Sequence, residues 1–342
     1  MHRFPSLLLA VLLTAEVVAQ NPTPAAPAPE PAVQAPSSGP RMPDPEKVHD
    51  PSTVITKDGV RRFFATGTGL LLFRESPTGS WVREGRVFAE GRFPAWHAEA
   101  VPGNRGHLWA PDVIQIGDRI LVYYSVSTFG KNVSAIGLAT GKSLDPSSNQ
   151  WGWEDHGPVV LSAAKDRYNA IDPAIFRDPA DGSLWMTFGS FWDGIHLIEL
   201  DPTTGMQRNP EQRPVRLAWK PEIEAPFLHR RGDYYYLFVN WGKCCRGVKS
   251  TYEIRVGRSR SVKGPYLDRS GKDLVEGGGT LILESEGRWI GPGHPSIHEH
   301  QGREWLAHHY YNGELAGRSR FRLLPLSWDS EAWPVIGESA PR

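Results

Sequence analysis

Five stretches of the chain repeat one order of apolar and polar positions. In each, a proline opens a short run rich in β-branched and aliphatic residues, a polar turn follows, and a second aromatic or aliphatic run comes after it. They are Asp50-Pro51 into STVITKDGVRRFFATG, Ala110-Pro111 into DVIQIGDRILVYYS, Asp172-Pro173 into AIFRDPADGSLWMTFGS, Ala225-Pro226 into FLHRRGDYYYLFVN, and His294-Pro295 into SIHEHQGREWLAHHYY. The prolines are separated by 60, 62, 53 and 69 residues. Each unit reads as two strands joined at Gly59, Gly117, Gly182, Gly232 or Gly302, with further strand-like stretches such as 134–139 and 252–257. Helical periodicity is nearly absent. Repeated small antiparallel sheets suit radial repetition, so the pattern predicts an all-β fold, a single five-bladed β-propeller. A β-sandwich would not require the same proline-initiated motif at five regular positions.

Equivalent positions of a propeller lie at one height around its axis. The residues before the five prolines therefore form a predicted ring of Asp50, Ala110, Asp172, Ala225 with Glu224 beside it, and His294. Asp-Pro is also a common turn dipeptide and recurs at Asp44, Asp145, Asp178 and Asp201. Register in the repeat is what separates Asp50 and Asp172 from these.

The N-terminus does not belong to the repeats. A short basic start followed by the apolar residues 7–13 reads as a secretory signal over residues 1–19, too short to span a bilayer. Residues 20–46 are dominated by Pro and Ala and read as a disordered linker, leaving residues 47–342 as the propeller domain. Export, to the periplasm or the medium, follows from this reading. Balanced charge, 38 basic against 38 acidic residues, leaves no field for holding nucleic acid. The only cysteines, Cys244 and Cys245, are adjacent, which excludes a disulfide framework between distant segments and leaves open a bond between the two. No residue supplies the positioned base that a thiol nucleophile would need.

Three carboxylates and an imidazole at one mouth suggest a cation site or acid/base work on a glycosidic bond. That reaction needs one protonated and one ionised carboxyl, and a third acid nearby raises the pKa of the proton donor. Thirteen Trp add faces suited to sugar rings, although most serve the core.

The segments HDPS at His49, LWAPD at Leu108, YYSVSTFGKNVSAIGLAT from Tyr123, NAIDPAIF at Asn169, FGSFWDGIHLIELD from Phe188, IEAPF at Ile223, CCRGVKSTYEIRVGRS from Cys244, GGGT at Gly277 and GPGH at Gly291 together resemble the arabinanases of glycoside hydrolase family 43, propellers of clan F. The resemblance implies a secreted or periplasmic, monomeric, inverting enzyme that cleaves α-1,5-linked arabinan, within the chain rather than from its end. It implies that Asp50 is the general base, Glu224 the general acid, and Asp172 the residue that tunes and holds the acid. Trp109 and Phe129 would stack on arabinose, Asn169 and Ser190 would hydrogen-bond the sugar, and His49 would line the site and orient its neighbours. His294 would lie beside one calcium ion, structural or electrostatic and held largely by water; no organic cofactor is implied. His308 and His309, as strand neighbours, face opposite ways and cannot share an ion. Competing expectations are an exo-acting arabinofuranosidase or β-xylosidase on the same scaffold, and a propeller that binds polysaccharide without cutting it.

Overall fold

A computed structural model describes residues 47–337; the expected signal peptide and Pro/Ala linker, residues 1–46, lie outside the described residues. The five repeats each become one antiparallel sheet of consecutive strands. Blade 1 comprises Ile55–Lys57, Val60–Ala65, Leu71–Glu75 and Trp81–Arg86. Blade 2 comprises His107–Ile116, Arg119–Val126, Ser134–Gly141 and Trp153–Ser162, with the two-residue strand Gly67–Thr68 added to its first strand. Blade 3 is Ala174–Arg177, Leu184–Phe188, Ile195–Leu200 and Val215–Ala218. Blade 4 is Ile223–Arg231, Tyr234–Trp241, Glu253–Ser259 and Thr280–Leu283. Blade 5 is Trp289–His300, Arg303–Asn312, Arg318–Trp328 and Pro334–Ile336. This is the expected five-bladed β-propeller, with one α-helix, Trp96–Ala100, among the described residues.

Side chains alternate across a strand, and here both faces are buried, because each blade packs against two others. On the second strand of blade 2, Ile120, Val122 and Tyr124 join Phe64 and Leu72 of blade 1 in one apolar cluster. Their neighbours Leu121 and Tyr123 join Leu184 and Met186 of blade 3 in another. Three further clusters fill the remaining junctions. The last of these closes the ring: Phe63 of blade 1 stacks on Phe321 of blade 5, ring centroids 4.3 Å apart.

The five prolines explain the axis. Proline has no N–H to give to a ladder, so it is accommodated where pairing breaks. Pairing shifts register between Trp109 and Asp112, Glu224 and Phe227, and Gly293 and Ser296, around three of the prolines. The preceding residue is left-handed in all five blades, with φ of 48° at Asp50, 43° at Ala110, 58° at Asp172, 51° at Ala225 and 58° at His294. Such conformations cost on the order of 1–3 kcal/mol each for non-glycine residues and persist where surroundings impose them. Here the imposing contact is a hydrogen bond to the previous blade. Asp50 N–H donates to His309 Nδ1 at 3.1 Å, Ala110 N–H to Thr66 Oγ1 at 2.9 Å, Asp172 N–H to Ser125 Oγ at 2.9 Å, and His294 N–H to Asn240 Oδ1 at 2.8 Å. In blade 4 the Ala225 N–H donates instead to the Asp172 carboxylate, at 3.2 Å.

Asp112 ties three first-strand segments together. Its buried carboxylate accepts the Thr53 amide of blade 1 at 2.9 Å and the Ile175 amide of blade 3 at 2.7 Å. Asp112→Ala would strand both amides away from water and is expected to lower stability by about 2–4 kcal/mol. Urea unfolding checks this; a loss below about 0.5 kcal/mol, within the range of neutral surface changes, would contradict the bridging role.

Candidate active site

Of the predicted ring, His294 Nδ1 lies 3.7 Å from Asp50 Oδ1, and Asp172 and Glu224 lie near enough to feel the Asp50 charge. Asp50 is the most elaborately held. Its Oδ2 accepts the Thr66 hydroxyl at 2.6 Å and lies 2.8 Å from His49 Nδ1. Its Oδ1 faces His309 Nδ1 at 3.5 Å and His294 Nδ1 at 3.7 Å, both beyond good hydrogen-bond distance. Burial pushes the Asp50 carboxyl up, but the His49 imidazole, with His294 and His309 behind it, outweighs burial and holds it well below the usual carboxylate range. These neighbours favour the ionised form of Asp50, with Oδ2 bonded to Thr66 and His49 and Oδ1 3.5 Å or more from the His309 and His294 imidazoles.

Glu224 sits in the opposite electrical environment. It is buried on the first strand of blade 4, and its Oε2 accepts the Ser190 hydroxyl at 2.7 Å. Burial raises its carboxyl most; Ser190 opposes this, the Asp50 charge adds to it, and the result is a pKa pushed up to about 7. Asp172, also buried, is pushed well above the usual range by burial and by the nearby Glu224 and Asp50, with the Ala225 amide opposing. Burial and the nearby Asp50 charge thus favour the protonated form of both acids more than in isolated carboxyls.

The other expected residues divide by position. Asn169 is buried, and its Oδ1 has no hydrogen-bond partner within the chain. Trp109 adjoins Ala110 of the ring and donates its indole N–H to His107 Nδ1 at 2.9 Å. Phe129, on the loop after the second strand of blade 2, is 83% exposed. Ser190 is spent on Glu224 rather than left facing outward. His49 stacks on His309, ring centroids 4.0 Å apart. His308 and His309 are both buried; His309 reaches Asp50, whereas both ring nitrogens of His308 lack partners. Cys244 and Cys245 are joined to each other by a disulfide.

Thr66, His309 and Tyr311 also belong to the site and escaped the sequence reading. Thr66 and His309 share a signal that was available, because each ends the second apolar run of its repeat, as Ser125 and Asn240 do. Around His294 the nearest acid is Asp50, and imidazoles dominate the rest. Calcium takes about six to eight oxygen ligands. The donors here that lie within ligating reach of one another are His49, Asp50 and His309, with His294 outside that group, so the chain offers no cage of protein oxygens at His294 among the described residues.

A propeller that brings together one carboxyl lowered by imidazoles and two raised by burial has the carboxyl pair that a glycoside hydrolase needs. The description of Glycosyl hydrolases family 43 matches residues 44–334, and the chain belongs to that family. It is 42% identical over 305 residues to an extracellular exo-α-(1→5)-L-arabinofuranosidase of Cellvibrio japonicus, covering 85% of this chain and 86% of the relative. It is 38% identical over 299 residues to an extracellular endo-α-(1→5)-L-arabinanase of Bacillus subtilis, covering 84% and 87%. Among solved structures, an exo-1,5-α-L-arabinanase from a bovine ruminal metagenomic library superposes with a TM-score of 0.81 at 41% identity, over 85% of this chain and 97% of that one.

An acid with a pKa of about 7 must be protonated to act. Turnover is therefore expected to be full below that value and to fall as pH rises through it. Glu224→Gln should lower kcat by about 10²–10⁴-fold and abolish this basic limb. A pH–rate profile checks both; an unchanged basic limb in the variant would show that another group gives up the proton.

Proposed function

We propose that this protein hydrolyses α-1,5-L-arabinofuranosyl linkages in arabinan with inversion, cutting within the chain, outside the cell that makes it. The observation that carries the chemistry is the contrast between the two carboxyl environments, Asp50 among three imidazoles and Glu224 buried on a serine hydroxyl. An inverting enzyme needs a base and an acid about 6.5–9.5 Å apart, with water between the base and the anomeric carbon. Asp50 Oδ1, free while Oδ2 is held by Thr66 and His49, takes a proton from that water. The water oxygen bonds to the anomeric carbon as its bond to the leaving oxygen breaks, and Glu224 protonates the leaving oxygen. Asp172 fixes the backbone beside Glu224 through the Ala225 amide, and the Asp50 charge with burial keeps the Glu224 carboxyl raised. Asn169 Oδ1, buried without a partner, is suited to accept a sugar hydroxyl. Ser190 then holds the acid, and Trp109 and Phe129 offer faces to sugar rings. A calcium ion at His294 would add positive charge beside Asp50; each proton is moved by a carboxylate of the chain.

Extracellular placement is supported by the two curated relatives, both named extracellular. No helix among the described residues is long and apolar enough to cross a membrane.

Action within the chain is supported by exposed aromatic side chains on loops of two blades. Phe129 follows the second strand of blade 2, and Trp192, 42% exposed, follows that of blade 3. Trp219, 38% exposed, is tied to Trp192 by an indole N–H bond to its carbonyl at 3.1 Å. An exo-acting reading is favoured by the 42% identical arabinofuranosidase. Timed product analysis on linear arabinan separates them: mixed oligosaccharides in the first minutes are expected, and arabinooligosaccharide of a single length or arabinose alone would establish exo action. Asp50→Asn and Glu224→Gln should each slow reducing-end release by about 10²-fold or more while still binding arabinan; wild-type release by both would overturn the hydrolytic assignment of these two residues.

A further inference from the structure

His49 is the nearest group to the Asp50 carboxylate apart from Thr66, and its own far side is occupied. His49 Nε2 lies 2.7 Å from the Tyr311 hydroxyl, and that hydroxyl lies 2.7 Å from the backbone nitrogen of Cys245. A ring nitrogen's role is not observed directly but follows from what its partners are able to give and take. The amide of Cys245 has only a proton to offer, so Tyr311 Oη accepts from it. Its one proton is then left for His49 Nε2, the hydroxyl's other hydrogen-bond partner among the described residues.

The other end of the chain agrees. An ionised carboxylate only accepts, so His49 Nδ1 must carry the proton that faces Asp50 Oδ2 at 2.8 Å. Both ends require the same tautomer. Stacking on His309 fixes the plane of the His49 ring, and the two hydrogen bonds fix its rotation within that plane.

The origin of the chain is equally constrained. The donating N–H belongs to the peptide bond between Cys244 and Cys245, and the disulfide between those residues encloses that bond in a small ring. Cys245 is left-handed, φ 66°, and its Sγ lies 3.8 Å from His49 Nε2. The only two cysteines of the chain thus lock the one amide on which the direction of every later hydrogen bond depends.

We propose that Tyr311, oriented by the Cys244–Cys245 peptide, is a positioning residue for the general base, holding His49 in the tautomer that donates to Asp50 and so directing the base's free oxygen toward water. This rests on the reading of Asp50 as the base. Tyr311→Phe keeps the ring and removes the relay. It is expected to lower kcat on linear arabinan about tenfold, the worth of one hydrogen bond to a charged group's partner, with KM changed less than about twofold. His49→Asn places an amide N–H where Nδ1–H stood, bonded through the same Cγ, with no need of Tyr311. In that background Tyr311→Phe should cost nothing further. The double variant Cys244→Ser/Cys245→Ser, which leaves Tyr311 in place, should show the same loss of kcat and should not add to Tyr311→Phe.

Thermal unfolding midpoints accompany each measurement. If Tyr311→Phe is grossly destabilised, the double cysteine variant decides by its kcat at a temperature where it is folded. A wild-type kcat in Tyr311→Phe, or an equal loss with and without His49→Asn, would overturn the proposal. Asp50→Asn keeps the two failures apart. If it is inactive while Tyr311→Phe is normal, only the relay falls; if it is active, the base assignment falls.

Discussion

The bond from each pre-proline amide to the side chain ending the previous blade's second strand is the contact on which the axis depends. Proline breaks the ladder, the residue before it turns left-handed, and its N–H then points across the blade junction. In four blades a side chain meets it: His309, Thr66, Ser125 or Asn240. The exception is chemical. At the corresponding place in blade 3 stands Gly189, where any Cβ would lie 2.2 Å from the Gly194 carbonyl oxygen. No side chain fits there, so the Ala225 amide takes the Asp172 carboxylate as its acceptor. The same bond that builds the ring elsewhere here fixes an acid beside Glu224.

From that ring the two functional carboxyls acquire opposite character. Asp50 enters among three imidazoles, and these outweigh the cost of burying its charge. Glu224 enters beside a serine and two other acids, and burial prevails. His49, the residue next to Asp50, is local, but the rest of the two environments is not. His309 and His294 come from blade 5, Thr66 from blade 1, and Ser190 from the loop after blade 3's second strand. Closure of blade 5 on blade 1, through Phe63 and Phe321, is therefore also assembly of the base.

The blades were legible because proline and glycine punctuate them. Asp58-Gly59 and Gln301-Gly302 both take the left-handed pairs of tight hairpins, so those strand ends fall where the turns place them. Asp50 and Asp172 could be picked from six Asp-Pro pairs only by register. Glu224 stands one residue outside that register, and its role came from the likeness to family 43 sequences. His309 and Tyr311 were hidden for a physical reason. They meet their partners from the neighbouring blade, 259 and 262 residues away, which a single repeat read alone does not reveal, whereas Thr66 lies in the Asp50 repeat itself, 16 residues on. The Cys244–Cys245 bond was equally undetermined, since adjacency permits both the thiols and the disulfide that the structure contains.

The central claim is that one propeller mouth holds Asp50 ionised and Glu224 protonated at the same pH. Carbon-13 NMR of the side-chain carboxyls, assigned with Asp50→Asn and Glu224→Gln, measures this directly. The account predicts that the Glu224 resonance titrates near pH 7 and that the Asp50 resonance shows no titration between pH 4 and 9. A Glu224 resonance already titrated by pH 5, or an Asp50 resonance that moves with a midpoint inside that window, would contradict it.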